Sequence, residues 1–477
     1  MKKFLNPSQH ANKFSFGYVV CMALILVGCG SGGASIPPVA LSSIAISPDP
    51  VFIGASTTLS LTATGTYSDG TTANLTTQVV WKSADPLTAS VASTGVITAH
   101  ATSGAKATIT AALNGVSSPA VTVTVTTASS IASTDLITAR YDHTATLLLD
   151  GSVLVGGGYN STALASAELY DPISKTWTTA GNMGVARRDH TAILLLPSGQ
   201  VLLIGGGAGP GLNDLDSAEM YTPSAGTPGT GTWTSYRGIL QTPRSYHTAT
   251  LLNTNKVLVV GGGVNNSADL YDPNTPAASA VPAAADISST GRYSHTATLL
   301  QDNSVLVVGG FDGTTALATA ELYVSTGSTV AATDSLATAR YLHTATLLND
   351  GRVLVVGGID STGHEVASAE LYYPAAATGM KWTATGSLAT ARFGHIATLM
   401  PNGQVLVMGG RNATNPNLSG AELYDPNTGK WSGTANLQKG RAVFTATLLN
   451  TGPNAGSVLV VGGDGAAGTL SSVELHN

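Results

Sequence analysis

Seven near-copies of one phrase, R-x-x-H-T-A-T-L-L, carry most of the chemistry-capable side chains of this 477-residue chain. The arginines are Arg140, Arg187, Arg244, Arg292, Arg340, Arg392 and Arg441. The histidines are His143, His190, His247, His295, His343 and His395, with Phe444 at the seventh place. Further along each copy stands one acid: Glu168, Glu219, Asp269, Glu321, Glu370, Glu422 or Glu474. One guanidinium and one carboxylate per unit predict ion pairs that lock neighbouring units, because a planar donor fork suits a carboxylate held on an adjacent strand. The alternative, an arginine ring gripping an anionic ligand, would leave buried charge uncompensated on either side. Histidines at one repeated position fan around an axis and do not converge on an ion. They are expected to pack and hydrogen-bond, and no metal, cofactor or catalytic residue is predicted.

Departures from the repeat are the better lead to recognition, since loops on a rigid scaffold usually carry it. The segments after each V-L-V-V-G-G run differ from copy to copy. They supply Tyr159, Asn160, Asn213, Asp214, Phe311, Asp312, Asp360, Arg411, Asn412 and Asp464 as candidate binding residues on one face. An isolated, non-repeated cluster of acids or histidines at the axis would instead favour an enzyme, most plausibly one acting on carbohydrate.

The elements that must position these residues are strands. Charged residues make up only 10% of the chain against a usual figure of about 25%, while Gly accounts for 55 positions and Pro for 21. That balance disfavours long helices and favours short strands joined by turns. The net charge of −6 is not a nucleic-acid footprint. Both cysteines, Cys21 and Cys29, precede residue 30, so no internal disulfide or cysteine metal site is expected beyond them. From histidine to histidine, and on to Phe444, the intervals are 47, 57, 48, 48, 52 and 49 residues. Each unit runs through the double glycine, an S-A-E-L-Y-like strand and, in four copies, a tryptophan: Trp177, Trp233, Trp382 and Trp431.

This order of double glycine, tyrosine and tryptophan resembles the kelch motif, in particular the bacterial proteins related to the central domain of galactose oxidase. The resemblance implies one four-stranded blade per unit and a seven-bladed β-propeller over residues 128–477. The last unit stops after its third strand, so residues near 129–136 are predicted to supply the fourth and close the ring. In galactose oxidase, copper is held by tyrosine and histidine, with one tyrosine cross-linked to a cysteine. The propeller segment contains no cysteine, and the further C-terminal domain that supplies a ligand there is not expected here.

Residues 41–127 alternate in period two, with Leu59, Leu61 and Ala63 on one face and Val121, Val123 and Val125 between threonines. The stretches S-I-A-I-S-P, G-T-Y-S-D-G-T-T, V-V-W-K-S-A-D-P and G-V-I-T-A resemble the bacterial immunoglobulin-like group 2 domain, which implies a small β-sandwich with Trp81 as a core anchor. Ahead of it, Lys2 and Lys3 precede an apolar run from Phe14 to Val27 that is too short to span a bilayer. Leu26-Val27-Gly28-Cys29-Gly30 resembles a lipoprotein lipobox. The expectation is a signal peptide over 1–28, lipidation at Cys29, a tether over 29–40, and export to the bacterial cell envelope, at the outer membrane or cell surface. Binding or scaffolding through a protein or glycan ligand is the expected role.

Overall fold

The computed structural model describes residues 39–477 apart from 48, 50, 56–57, 102–103, 127–128, 210–212, 225–229, 264–265, 276–280, 283–290 and 325–328. Cys29, the leader and the tether up to residue 38 lie outside the described residues. Among the described residues there is no helix.

The N-terminal unit folds as short sheets around one apolar core. Leu41–Ser47, Thr62–Tyr67 and Thr72–Asn74 form one sheet; Val116–Ser117, Lys106–Leu113, Val121–Thr126 and Val51–Gly54, with Val80–Ser83 on the edge of Lys106–Leu113, form another. The period-two pattern is obeyed: Leu61, Ala63, Val123 and Val125 are buried while their threonine neighbours face outward. Trp81 is only partly buried. It packs at the margin of this core, and its indole N–H donates to the carbonyl of Thr76 at 2.8 Å.

Beyond it, seven four-stranded antiparallel sheets are formed by the described residues. Their first strands begin at Thr144, Thr191, Thr248, Thr296, Thr344, Ile396 and Thr445, and the sheets are numbered one to seven in that order. Each first strand lies against that of the next sheet, and Thr445–Leu448 lies against Thr144–Leu147, so the ring is closed. The second strands, such as Val153–Gly156 and Val353–Val356, are buried along their whole length because both faces of each sheet are covered by neighbours. Apolar clusters straddle the joints: Leu154, Ala167 and Leu169 of sheet one pack with Val201, Leu203 and Tyr221 of sheet two.

The four tryptophans stitch the outer edge. Trp177, Trp233, Trp382 and Trp431 donate indole N–H groups to the carbonyls of Thr134, Ala180, Asp334 and Gly386, in or just beyond the fourth strand of the preceding sheet. Sheet seven takes its outer strand from upstream. Ser130–Ala132 pairs antiparallel with Val473–His476, matching Ser130 to His476, Ile131 to Leu475 and Ala132 to Glu474. Leu136 continues the seam, its N–H reaching the carbonyl of Ser471 at 2.9 Å.

Candidate functional site at the axial mouth

The arginine and acid columns meet as seven buried ion pairs. Nη2 to carboxylate distances are 2.6 Å for Arg140–Glu168, 3.5 Å for Arg187–Glu219, 3.1 Å for Arg244–Asp269 and 2.8 Å for Arg292–Glu321. They are 2.9 Å for Arg340–Glu370, 2.8 Å for Arg392–Glu422 and 2.6 Å for Arg441–Glu474. Each pair sits within one sheet, not across two as the repeat suggested. What it holds is the crossing segment: Glu168 accepts N–H bonds from Ile137 and Thr138, on the chain arriving from the outer edge of sheet seven. Arg140 spends its fork on the carbonyls of Thr138, Gly157 and Ser166, the Ser166 hydroxyl and Glu168. A buried pair is tolerated when its remaining donors and acceptors are satisfied in this way. The double glycine has no room for side chains. A Cβ on Gly157, at φ +63°, would stand 2.5 Å from the carbonyl oxygen of Arg187 in the next sheet.

The histidines join neighbouring sheets. Nε2 of His143, His190, His247, His295, His343 and His395 lies 2.9–3.0 Å from Oγ1 of the first threonine in the preceding sheet: Thr445, Thr144, Thr191, Thr248, Thr296 and Thr344. The seventh joint replaces both partners at once, with Phe444 packed on Ile396. Exchanging both members of a polar pair for apolar groups avoids an orphaned donor or acceptor. Burial holds His143, His247, His343 and His395 down to about 3, and His190 and His295 well below the usual range. All six are therefore neutral at physiological pH.

One residue before this layer lies a column that the sequence reading overlooked: Asp142, Asp189, Tyr246, Ser294, Leu342, Gly394 and Val443. All seven have left-handed backbones, with φ between 48° and 60°. The N–H groups of Asp142, Asp189, Tyr246, Ser294, Leu342 and Val443 each donate, at 3.0–3.3 Å, to the carbonyl of the equivalent residue one sheet back. A bulky or β-branched residue at such a φ is strained, and the surrounding hydrogen-bonded ring is what over-determines it. This ring encircles the axis, and its side chains form the mouth.

The mouth has two unlike halves. On one side the buried carboxyls of Asp142 and Asp189 adjoin, the Tyr246 hydroxyl faces Asp189, and Arg188 Nε lies 3.8 Å from Asp189 Oδ2. The Arg188 guanidinium is stacked 4.3 Å over the Tyr159 ring, and Tyr159 meets Tyr141 at 5.5 Å. Arg411 pairs with Asp464 at 3.1 Å, and Asp214 accepts from Ser245 at 2.7 Å. From Tyr246 at the boundary the other side runs on through Tyr293, Phe311 and Tyr341, with successive centroids 6.3, 5.6 and 4.9 Å apart. Burial pushes Asp142 up to about 6 against the pull of Arg188 and Arg411; burial and then the charge of Asp142 push Asp189 well above the carboxylate range. Two like charges in contact cannot both ionise cheaply, so the pair keeps a proton near neutrality.

Of the loop residues picked out from the sequence, Tyr159, Asp214, Phe311, Arg411 and Asp464 join this mouth. Asp312, Asp360 and Asn412 do not: their side chains fold back on the N–H and hydroxyl groups of Thr314, Thr362 and Thr414. Asn160 sits in a small hairpin, Tyr159–Asn160 against Thr162–Ala163, and Asn213 in another, Asn213–Asp214 against Gly207–Ala208.

The fold matches known proteins. The KLHDC2/KLHL20/DRC7 Kelch-repeats domain matches residues 142–358 and 246–463, and the chain belongs to that family. A fungal alcohol oxidase of the AA5 family, solved in complex with copper, superposes with a TM-score of 0.57 at 15% identity over 73% of this chain and 75% of its own. Galactose oxidase of Gibberella zeae is 34% identical over 101 residues, which is 20% of this chain and 15% of that protein. Ice-binding protein 1 of Shewanella frigidimarina is 34% identical over 93 residues, 20% of this chain and 10% of that protein. The chain thus spans a small fraction of the curated relatives it matches. The protein is an all-β kelch propeller with a galactose oxidase-like fold.

Among the described residues no three His, Cys, Asp or Glu side chains stand together as a metal site, and the six repeated histidines are spread one to a sheet with Nε2 committed to threonine.

Proposed function

We propose that this chain is a lipid-anchored protein of the bacterial cell envelope, with an immunoglobulin-like unit carrying a seven-bladed kelch propeller whose axial mouth binds a protein or glycan. The observation that carries the binding role is the divided mouth, an acid and arginine half facing an aromatic half on a rigid strained ring. Aromatic faces supply contact area at low entropic cost, and the charged half supplies orientation. Support for the blade count comes from the seven closed sheets, and for the anchor from the sequence around Cys29. The test is a glycan and cell-surface protein binding screen with the lipidated full chain, repeated with Arg188→Ala and Phe311→Ala. Loss of the selected ligand by more than tenfold in both variants is expected; binding that survives both removes the mouth from consideration. For the anchor, Cys29→Ala is expected to move the protein from the membrane fraction to the soluble one.

A second reading, a carbohydrate-active enzyme, draws on the same acid pair, which is non-repeated and axial. Its carboxyls are buried and share a proton near neutrality, whereas a glycosidase pair stands roughly 5–9.5 Å apart with room for a sugar or a water. That burial supports recognition over hydrolysis, and product release from any oligosaccharide, lost in Asp189→Asn, would reverse the preference.

A further inference from the structure

A second place breaks the repeat for a different reason. In six sheets the residue two before the paired acid is a hydroxyl: Ser166, Ser217, Ser267, Thr319, Ser368 and Ser472 each accept a bond from the arginine Nη2 at 2.9–3.3 Å. Sheet six has Gly420 there. Arg392 Nη2 keeps Glu422, at 2.8 Å, and has no hydroxyl. The space left by that side chain opens into a cleft of about 790 Å³ between sheet six and the N-terminal unit, which contributes Ser47 and Thr62. Asn415 Nδ2 bridges the two walls, donating to Ser47 Oγ at 3.0 Å.

The chemistry of the lining is narrow. Arg392 and Glu422 cancel each other, and Asp49 is the one other ionisable side chain among the described residues of the lining. Half of the lining residues carry hydroxyls or amides, and Trp431 gives an apolar patch. Asn436, only 4% exposed, lines the cleft with its Oδ1 accepting from Ala421 N–H and its Nδ2 without a hydrogen-bond partner among the described residues. Leaving a buried donor unmet costs free energy, so such groups point to an acceptor supplied from outside. Arg392 and Asn436 therefore both line one near-neutral cleft of hydroxyls and amides.

We propose that this cleft binds a neutral oligosaccharide, whose hydroxyl and ring oxygens meet Arg392 Nη2 and Asn436 Nδ2 while its carbon faces lie against Trp431. The site is separate from the axial mouth. A neutral chain is favoured over a charged one because the guanidinium is already neutralised and the remaining ionisable group is an acid.

The test is titration calorimetry of the full chain with cellohexaose, laminarihexaose, mannohexaose and xylohexaose, and with hexagalacturonate as the charged counterpart. At least one neutral hexaose is expected to bind, with hexagalacturonate at least tenfold weaker. Gly420→Ser restores the hydroxyl of the other sheets, and a Cβ at this position would meet Arg392 Nη2 at an ordinary 3.6 Å, so the variant should fold with an unchanged melting temperature. It should weaken the hexaose at least tenfold, and Asn436→Asp should do the same. Arg188→Ala in the mouth should leave the hexaose unaffected. No binding by any hexaose at millimolar concentration, binding that survives Gly420→Ser, or binding abolished by Arg188→Ala would each overturn the proposal; the last would assign the sugar to the mouth.

Discussion

Two rings lie one residue apart around the axis of this propeller, and they obey opposite rules. The histidine and threonine ring, with the arginine and acid pairs beside it, repeats the same contacts from sheet to sheet and spends its polar groups on joining strands. The ring of Asp142, Asp189, Tyr246, Ser294, Leu342, Gly394 and Val443 repeats its backbone and varies every side chain but one pair. Its φ values cluster within 48–60° while its chemistry runs from carboxylate to valine. The difference teaches that uniform geometry and free chemistry can coexist in adjacent positions when backbone bonds, and not side chains, hold the ring.

Acidification should separate the rings most. The histidines ionise near 6.5 when unfolded and are held to about 3, or further down, when folded, so the unfolded chain binds more protons between those values. Their contribution is complete above pH 6.5 and is lost as pH falls. At roughly 1–2 kcal/mol for each imidazole at pH 5, the melting temperature should drop steeply between pH 7 and 5. The acid pair works in the opposite sense, since carboxyls raised on folding penalise the folded state most at high pH. Six groups outweigh one pair, and a melting temperature that rises toward pH 5 would contradict this account.

Next in size is the loss of one repeated charge. Arg340→Met leaves Glu370 buried without its partner and should cost about 3–5 kcal/mol in urea denaturation. Arg188→Met in the mouth should cost less, because Asp142 and Asp189 already hold a proton near neutrality and can take up another when the guanidinium is gone. Equal costs would erase the distinction between the rings.

The seventh joint suggests a smaller and sharper experiment. Thr296→Ile or His343→Phe alone orphans a polar group and should cost about 1–3 kcal/mol, whereas the double variant copies Ile396 and Phe444 and should recover most of it. Additive costs would mean that the natural substitution at that joint owes its tolerance to something else. Smallest of all, Asp189→Asn should stabilise the protein by about 1 kcal/mol at pH 8, with the gain fading toward pH 5 as the wild-type pair takes up its proton.

Much of this was legible beforehand. Arginine and acid columns of equal number announced their pairing, and the truncated last unit announced a strand borrowed from residues near 130. What the repeat could not announce is direction. Arg140 reaches an acid in its own sheet because the crossing segment, and not the neighbouring sheet, needs a buried anchor. Asp312, Asp360 and Asn412 read as recognition residues, yet each is followed two positions later by a threonine, a spacing that favours closing the loop on itself. The mouth column was visible as the variable position inside an otherwise constant phrase. Nothing in Leu342 or Val443 signals a left-handed backbone, however, so their place on the axis is a product of the closed ring. The cleft beside Gly420 needed the N-terminal unit as its second wall, which no local pattern encodes.

The borrowed strand gives the molecule a mechanical polarity. Val121–Thr126 ends the N-terminal unit only a few residues before Ser130, where the chain enters the seam. Once the contact of Asn415 with Ser47 has parted, tension applied at the amino end would therefore load three antiparallel residue pairs on the propeller's outermost edge, peeling them one after another instead of shearing the whole ring. The joint that completes the circle is the one through which that load passes, so pulling from the N-terminal side should open the propeller between sheets seven and one before any other joint parts.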